Sequence, residues 1–177
     1  IMLGFLQQDL GQIYYFDNKL SGINNQVRKR IGFLPERPYY YPYLSGREFL
    51  SYIGSIQGMK TAELKSEIIK VTTKLNIDFA LERKVRVYSK GMLQRLGFAA
   101  CLLHRPELLI LDEPLSGLDP LGRKEIKEIL LDLNKEGKTI FFSSHVVSDI
   151  EEVCSHFIFI KKGLMAMQGK VSETLEG

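Results

Sequence analysis

Apolar positions along the chain follow two rhythms. Leu64, Ile68, Val71 and Leu75 recur at steps of four, three and four, the spacing of one helical face, with Thr61 as a candidate cap. Leu93, Leu96, Ala100 and Leu103 continue that rhythm behind Ser89, so residues 44–104 read as a helical block. Elsewhere the runs are short and continuous. Leu108-Leu109-Ile110-Leu111 has the look of a parallel strand buried on both faces, and Thr139-Ile140-Phe141-Phe142 reads the same way. Between them, Asp119 can cap a helix that starts at Pro120, buries Ile126, Ile129, Leu130 and Leu133, and ends at Gly137. Strand, helix and strand in this order predict a right-handed parallel crossover.

Residues 11–16 and Ile31-Gly32-Phe33-Leu34, which stops at Pro35, predict two further strands. A short helix after His145 is expected to carry Val147, Ile150 and Cys154 on one side. Phe157 to Gln168 predicts a hairpin turning at Lys162-Gly163. Ile1 to Leu6 reads as the middle of a helix with no cap before it, as if the chain were cut at its front. Residues 1–43 and 105–177 then make a sheet core and residues 44–104 a helical subdomain of a single domain.

Composition narrows the class. The 177 residues are 45% hydrophobic and 25% charged, and 24 basic against 21 acidic side chains are spread without a block, so no nucleic acid is expected as a partner. Cys101 and Cys154 lie among apolar neighbours, which fits packing residues in a reducing compartment and offers no disulfide framework. No apolar run approaches the roughly 18 residues of a membrane span, so any membrane role is expected to pass through a partner.

Chemistry concentrates at Asp112-Glu113-Pro114. A buried parallel strand delivers Asp112 to the carboxyl edge of the sheet, where α/β folds bind ligands and where a carboxylate can hold a phosphate-bound Mg²⁺. Glu113 beside it is placed to orient or deprotonate an attacking water. Read alone, an apolar run closed by acids can equally be the plain end of a strand.

Together with three further motifs, these residues resemble the ABC ATPase family. Ser89-Lys90-Gly91-Met92-Leu93-Gln94-Arg95 stands where the family carries its signature, Ser116-Gly117-Leu118-Asp119 follows the Walker B strand as a D-loop, and His145 in Ser143-Ser144-His145 occupies the place of the switch histidine, 32 residues beyond Glu113. The resemblance covers essentially the whole chain. It implies an α/β fold of the P-loop NTPase class, ABC type, with a mainly parallel sheet and a helical subdomain, incomplete at its N-terminus.

The resemblance also implies roles. Asp112 would hold Mg²⁺, Glu113 would serve as base, and His145 would hold the γ-phosphate or the attacking water. Ser89 and Gly91 would clamp the γ-phosphate of ATP held by a second ATPase domain in a head-to-tail dimer, with Asp119 in contact across it. Residue by residue, Ser89 and Asp119 are also sufficiently explained as helix caps, and His145 as polar surface. Ile31-Gly32-Phe33-Leu34-Pro35-Glu36 falls at the glutamine loop, where Glu36 replaces the amide by a carboxylate that can still reach Mg²⁺ or water; a plain surface glutamate is the other reading.

The signature departs from the commonest Leu-Ser-Gly-Gly-Gln form at Tyr88, Lys90 and Met92, and similar Tyr-Ser-Lys-Gly-Met versions occur in bacterial exporter ATPases. The expected protein is therefore an ATPase subunit on the cytoplasmic face of the cell membrane, bound to membrane-spanning transporter subunits. A soluble ATPase acting on ribosomes or DNA, or a non-catalytic partner of another ATPase, is the alternative.

These residues contain no Gly-x4-Gly-Lys-Ser/Thr loop to cradle phosphates. Gly137-Lys138-Thr139 has Asp132 where the first glycine belongs. The family register puts the missing loop immediately upstream of Ile1, so the chain as written is expected to bind MgATP very weakly and not to turn it over.

Overall fold

The computed structural model describes residues 2–16, 18–20 and 25–174. At its centre is a parallel sheet of β3 (Ile31–Leu34), β4 (Leu108–Leu111) and β5 (Thr139–Phe142), in the order β3-β4-β5. Pairing runs in step, Leu34 opposite Leu111 and Leu111 opposite Phe142, so the three strands end level. The in-register ending puts the residues after all three strands on one carboxyl edge.

β4 is buried along its whole length because both its faces are covered. Leu109 and Leu111 point into a large core with helices α2 (Gly46–Ile56), α3 (Thr61–Lys74), α4 (Lys90–Leu102) and α5 (Pro120–Lys135). Leu108 and Ile110 face a smaller cluster with Tyr15, Val27 and Ile31. Period-two alternation thus feeds two cores from one apolar run.

β5 departs from the expectation of burial on both faces. Among the described residues it pairs only with β4, and Phe141 stays about half exposed at 47%. An edge strand covered on one side cannot bury both of its faces.

The helices follow the sequence periodicity closely. Leu64, Ile68, Val71 and Leu75 are all buried, as are Ile126, Ile129, Leu130 and Leu133 of α5. Asp119 caps α5 by accepting from the Gly122 N–H at 2.9 Å, with Pro120 as first residue. Ser89 caps α4 by accepting from the Met92 N–H at 3.2 Å. Thr61 is not the cap of α3 but its first residue; Lys60 holds the cap position without a side-chain bond. Ser45 and Glu48 form a reciprocal capping box on α2.

Shorter elements flank this centre. β1 (Ile13–Tyr15) pairs antiparallel with β2 (Asn18–Leu20), a strand the apolar pattern does not announce. α1 (Asn25–Arg28) leads into β3, and α6 (Val147–Val153) follows His145. β6 (His156–Lys161) and β7 (Leu164–Lys170) form the expected hairpin, turning through Lys162 and Gly163 at φ of 52° and 76°, as a two-residue primed turn requires. A last turn of helix, α7 (Val171–Thr174), follows it.

The helix expected over the first six residues does not form. Residue 1 lies outside the described residues, and residues 2–6 are turns and bends, with Gly4 at φ 75° and Phe5 and Leu6 exposed. Met2 and Leu3 pack on the smaller cluster, but Gly4 in its left-handed conformation breaks the helical path and leaves Phe5 and Leu6 outside. Both cysteines are free thiols; burial pushes Cys101 up to about 12 and Cys154 up to about 11, so each is a neutral packing residue.

Candidate functional site

The carboxyl edge of the sheet gathers the candidate groups. Asp112 follows β4 directly, and its N–H donates to Leu34 O at 2.8 Å, extending the ladder one step past the strands. Ser143 follows β5 and is tied by its own N–H to Leu111 O at 3.0 Å. Its hydroxyl donates to Asp112 Oδ1 at 2.6 Å and accepts from the Glu113 N–H at 2.9 Å. One serine thus braces both carboxylate residues.

Glu113 adopts φ 47°, a left-handed conformation that a non-glycine residue holds only when its surroundings compel it. Here the Ser143 bond and the buried Pro114 and Leu115 after it supply the compulsion. The turn sends the Glu113 side chain toward His145, whose Nδ1 lies 2.9 Å from Glu113 Oε1. Carboxylate oxygens only accept, so Nδ1–H is the donor. A neutral ring then presents Nε2 as an acceptor, suited to a water hydrogen; gripping a phosphate oxygen calls for the imidazolium or the opposite tautomer. The imidazole is largely exposed, 75% for its side chain, while Glu113 is mostly covered.

Glu36 lies just past β3, on the same edge. It is exposed, and its carboxylate is 4.0 Å from Arg37 Nε. Among the described residues no hydrogen bond joins it to Asp112, Glu113 or Ser143.

Ser89, Gly91 and Asp119 line a different place, a cleft of ≈ 210 Å³ between the N-terminal ends of α4 and α5. Arg95 and Glu125 form an ion pair in its wall, and Arg95 Nη1 also donates to Leu75 O at 2.8 Å. The Lys90 side chain lies across Gly117, where it fills the space a Cβ would need. Gln94 reaches the other way, its Nε2 donating to Pro114 O at 2.7 Å, and so ties the α4 N-terminus to the loop after Glu113. The structure therefore separates the candidates into two groups, Asp112, Glu113 and His145 at the edge and Ser89, Gly91 and Asp119 in the cleft.

Sequence reasoning names the Ser-Ser-His run without giving Ser143 a task. The signal was present in the strand register: two parallel strands in step put the residue after Phe142 beside the residue after Leu111. Gln94 and the buried Asp149 carry no comparable signal, because their partners lie on other elements.

Among the described residues no cluster of three or more His, Cys, Asp or Glu side chains could cage a metal, and no helix is long and apolar enough to cross a membrane. An exposed carboxylate at the sheet edge is nevertheless the donor Mg²⁺ takes when phosphates and water complete its shell, and Asp112 fits that requirement.

The family model described as ABC transporter matches residues 1–116. An uncharacterised ABC transporter ATP-binding protein of Synechocystis sp. is 42% identical over 177 residues, which cover 99% of this chain and 49% of that protein. The bacitracin transport ATP-binding protein BcrA of Bacillus licheniformis is 38% identical over 92% of this chain and 53% of its own length. The chain thus spans about half the length of these curated relatives. Among solved structures, an ATP-binding subunit of an ABC transporter superposes with a TM-score of 0.83 at 25% identity, covering 97% of this chain and 72% of that one. CbiO1 of Clostridium perfringens, part of the cbiONQ transporter complex, shares the fold with a TM-score of 0.85 at 24% identity, over 97% of this chain and 70% of its own. By its motifs and these likenesses, the chain belongs to the ABC transporter family, among its ATP-binding subunits.

Proposed function

We propose that this sequence forms the catalytic edge of an ATPase that powers a membrane transporter. The observation that carries the reading is the 2.9 Å contact between His145 and Glu113 beside Asp112, with both carboxylate residues braced by Ser143 at the end of a parallel sheet. Glu113 orients and deprotonates the water that attacks the γ-phosphate, with the oxygen not engaged by His145 free to take its proton. His145 holds the water or the phosphate. Asp112, with Glu36 on the same edge, would hold Mg²⁺, which when bound offsets the charge of the phosphates.

Ser89 and Gly91 at the start of α4 and Asp119 at the start of α5 face a second ATPase domain in a head-to-tail dimer, closing on the nucleotide that domain holds. Membrane-spanning subunits are the other partners, met on the cytoplasmic face through the helical region and the segment after Glu36, where Tyr39, Tyr41, Tyr43 and Tyr52 are exposed. The CbiO1 relative belongs to such a complex, and BcrA serves bacitracin transport. The Tyr88-Ser89-Lys90-Gly91-Met92 form of the signature is what favours an exporter.

Turnover needs a phosphate-cradling loop, and these 177 residues contain none. The chain by itself is therefore expected not to hydrolyse ATP; measurable hydrolysis by the purified chain would refute that. In the full-length protein with a phosphate loop, Glu113→Gln should abolish turnover while nucleotide binding persists. Unchanged turnover would remove Glu113 from the role of base.

A further inference from the structure

α6 is a seven-residue helix with unusual anchorage. Its cap position, Val146, makes no side-chain bond, Val147 is 44% exposed, and Ile150 and Val153 are only half-buried. The expected stripe of Val147, Ile150 and Cys154 is therefore only partly covered, and Val153 is the α6 residue that packs on the main core. Its one fully buried residue is Asp149, 1% exposed.

Two cations of α5 meet that carboxylate. Arg123 Nη2 donates to Oδ2 at 2.5 Å and Lys127 Nζ lies 2.9 Å from Oδ1, with Lys127 also reaching Glu152 at 2.8 Å. Arg123 and Lys127 stand four apart, on one face of a helix whose other face is sunk in the core. Burial disfavours the charged carboxylate, but the bonds from Arg123 and Lys127 outweigh it and hold Asp149 below the usual range. The carboxylate is ionised and almost wholly covered, while Arg123 and Lys127 keep part of their side chains in solvent.

From Asp149 a chain of bonds leads back to His145. The Asp149 N–H donates to Val146 O at 3.2 Å, and the Val146 N–H donates to Ser144 Oγ at 3.1 Å, so both neighbours of His145 belong to this network. The imidazole itself is largely exposed, and the bond its Nδ1 makes is the one to Glu113.

We propose that Asp149 is a positioning residue for His145, locking the start of α6 to α5 through Arg123 and Lys127 so that the imidazole stays aimed at Glu113. This rests on the reading of His145 as a group acting on the γ-phosphate or its water. It couples the segment after the D-loop residue Asp119 to the histidine without either touching the other.

The test compares His145→Ala, Asp149→Asn, Asp149→Glu and the double variant His145→Ala/Asp149→Asn in the full-length ATPase. Misplacing a catalytic group by about 1 Å can lower a rate by ~100-fold, so Asp149→Asn should lower kcat by roughly 10- to 100-fold with KM for ATP little changed. On the His145→Ala background it should cost nothing further, and Asp149→Glu, which keeps the charge, should recover most of kcat. Unchanged kcat, losses that multiply in the double variant, or a rise in KM alone would overturn the proposal. Should Asp149→Asn fail to fold, Lys127→Met leaves the Arg123 pair intact and should lower kcat several-fold, again without effect on the His145→Ala background; unchanged kcat overturns the proposal. If His145→Ala itself leaves kcat unchanged, the phosphate reading of His145 fails. Positioning is then decided by nitrogen NMR of the 177-residue chain, where loss of the Nδ1 hydrogen-bond signature in Asp149→Asn and its retention in Asp149→Glu supports it, and retention in both overturns it.

Discussion

Two glycines give opposite expectations for the same substitution. At Gly91, the second residue of α4, an added Cβ meets nothing within 4 Å. Alanine is about 0.8–1.0 kcal/mol better than glycine in a helix interior, and about half of that is expected in the first turn. At Gly32, in the middle of β3, the Cβ would lie 2.6 Å from the Cys101 carbonyl oxygen, 2.7 Å from its Sγ and 2.9 Å from Leu109 Cδ2. A backbone oxygen cannot rotate away, so α4 must move off the sheet, and overpacking of this kind costs about 1–3 kcal/mol. For a domain of this size about 1 kcal/mol shifts the melting temperature by roughly 2–4 °C. Gly91→Ala should therefore raise it by ~1–2 °C and Gly32→Ala should lower it by ~2–12 °C, read by circular dichroism on the purified chain. A clear loss of stability in Gly91→Ala, or none in Gly32→Ala, would refute the packing argument. If Gly91→Ala keeps its stability but lowers turnover in the full-length protein, the missing side chain serves a ligand from outside the chain, as the dimer reading requires.

His104 supplies a pH test. Its Nε2 lies 3.0 Å from Ile31 O, and its Nδ1 is buried with no partner among the described residues, so burial above all lowers its pKa below the usual value of 6.5. The unfolded chain takes up the proton first, so this contribution to stability is complete above about pH 6.5 and is lost as pH falls below it. His104→Gln should flatten the change in melting temperature between pH 7.5 and 5.5; an undiminished change would place the titration elsewhere. Ser143→Ala removes the bridge between Asp112 and the Glu113 N–H. It should cost about 1–2 kcal/mol in urea unfolding and lower turnover of the full-length protein, and an enzyme indistinguishable from the parent would deny Ser143 its bracing role.

What could be read from the sequence were features whose causes lie close together along the chain. Ile126, Ile129, Leu130 and Leu133 define the buried face of α5 because helical spacing puts them side by side. Ser89 and Asp119 cap their helices because a cap acts over three residues, and Lys162-Gly163 turns its hairpin because the turn demands positive φ there. Asp112, Glu113 and His145 were recognisable by spacing and resemblance. Their distances, the left-handed turn at Glu113 and the Ser143 brace were decided by strands meeting in register across 30 residues of chain. Tertiary structure also overruled local pattern. Residues 2–6 turn at Gly4 and form no helix, β5 pairs on one side only among the described residues and keeps one face open, and the one fully buried residue of α6 is a carboxylate, not a member of its apolar stripe. Periodicity tells a segment which face it can bury; whether another element arrives to cover that face, and with what charge, is set only when the chain is folded.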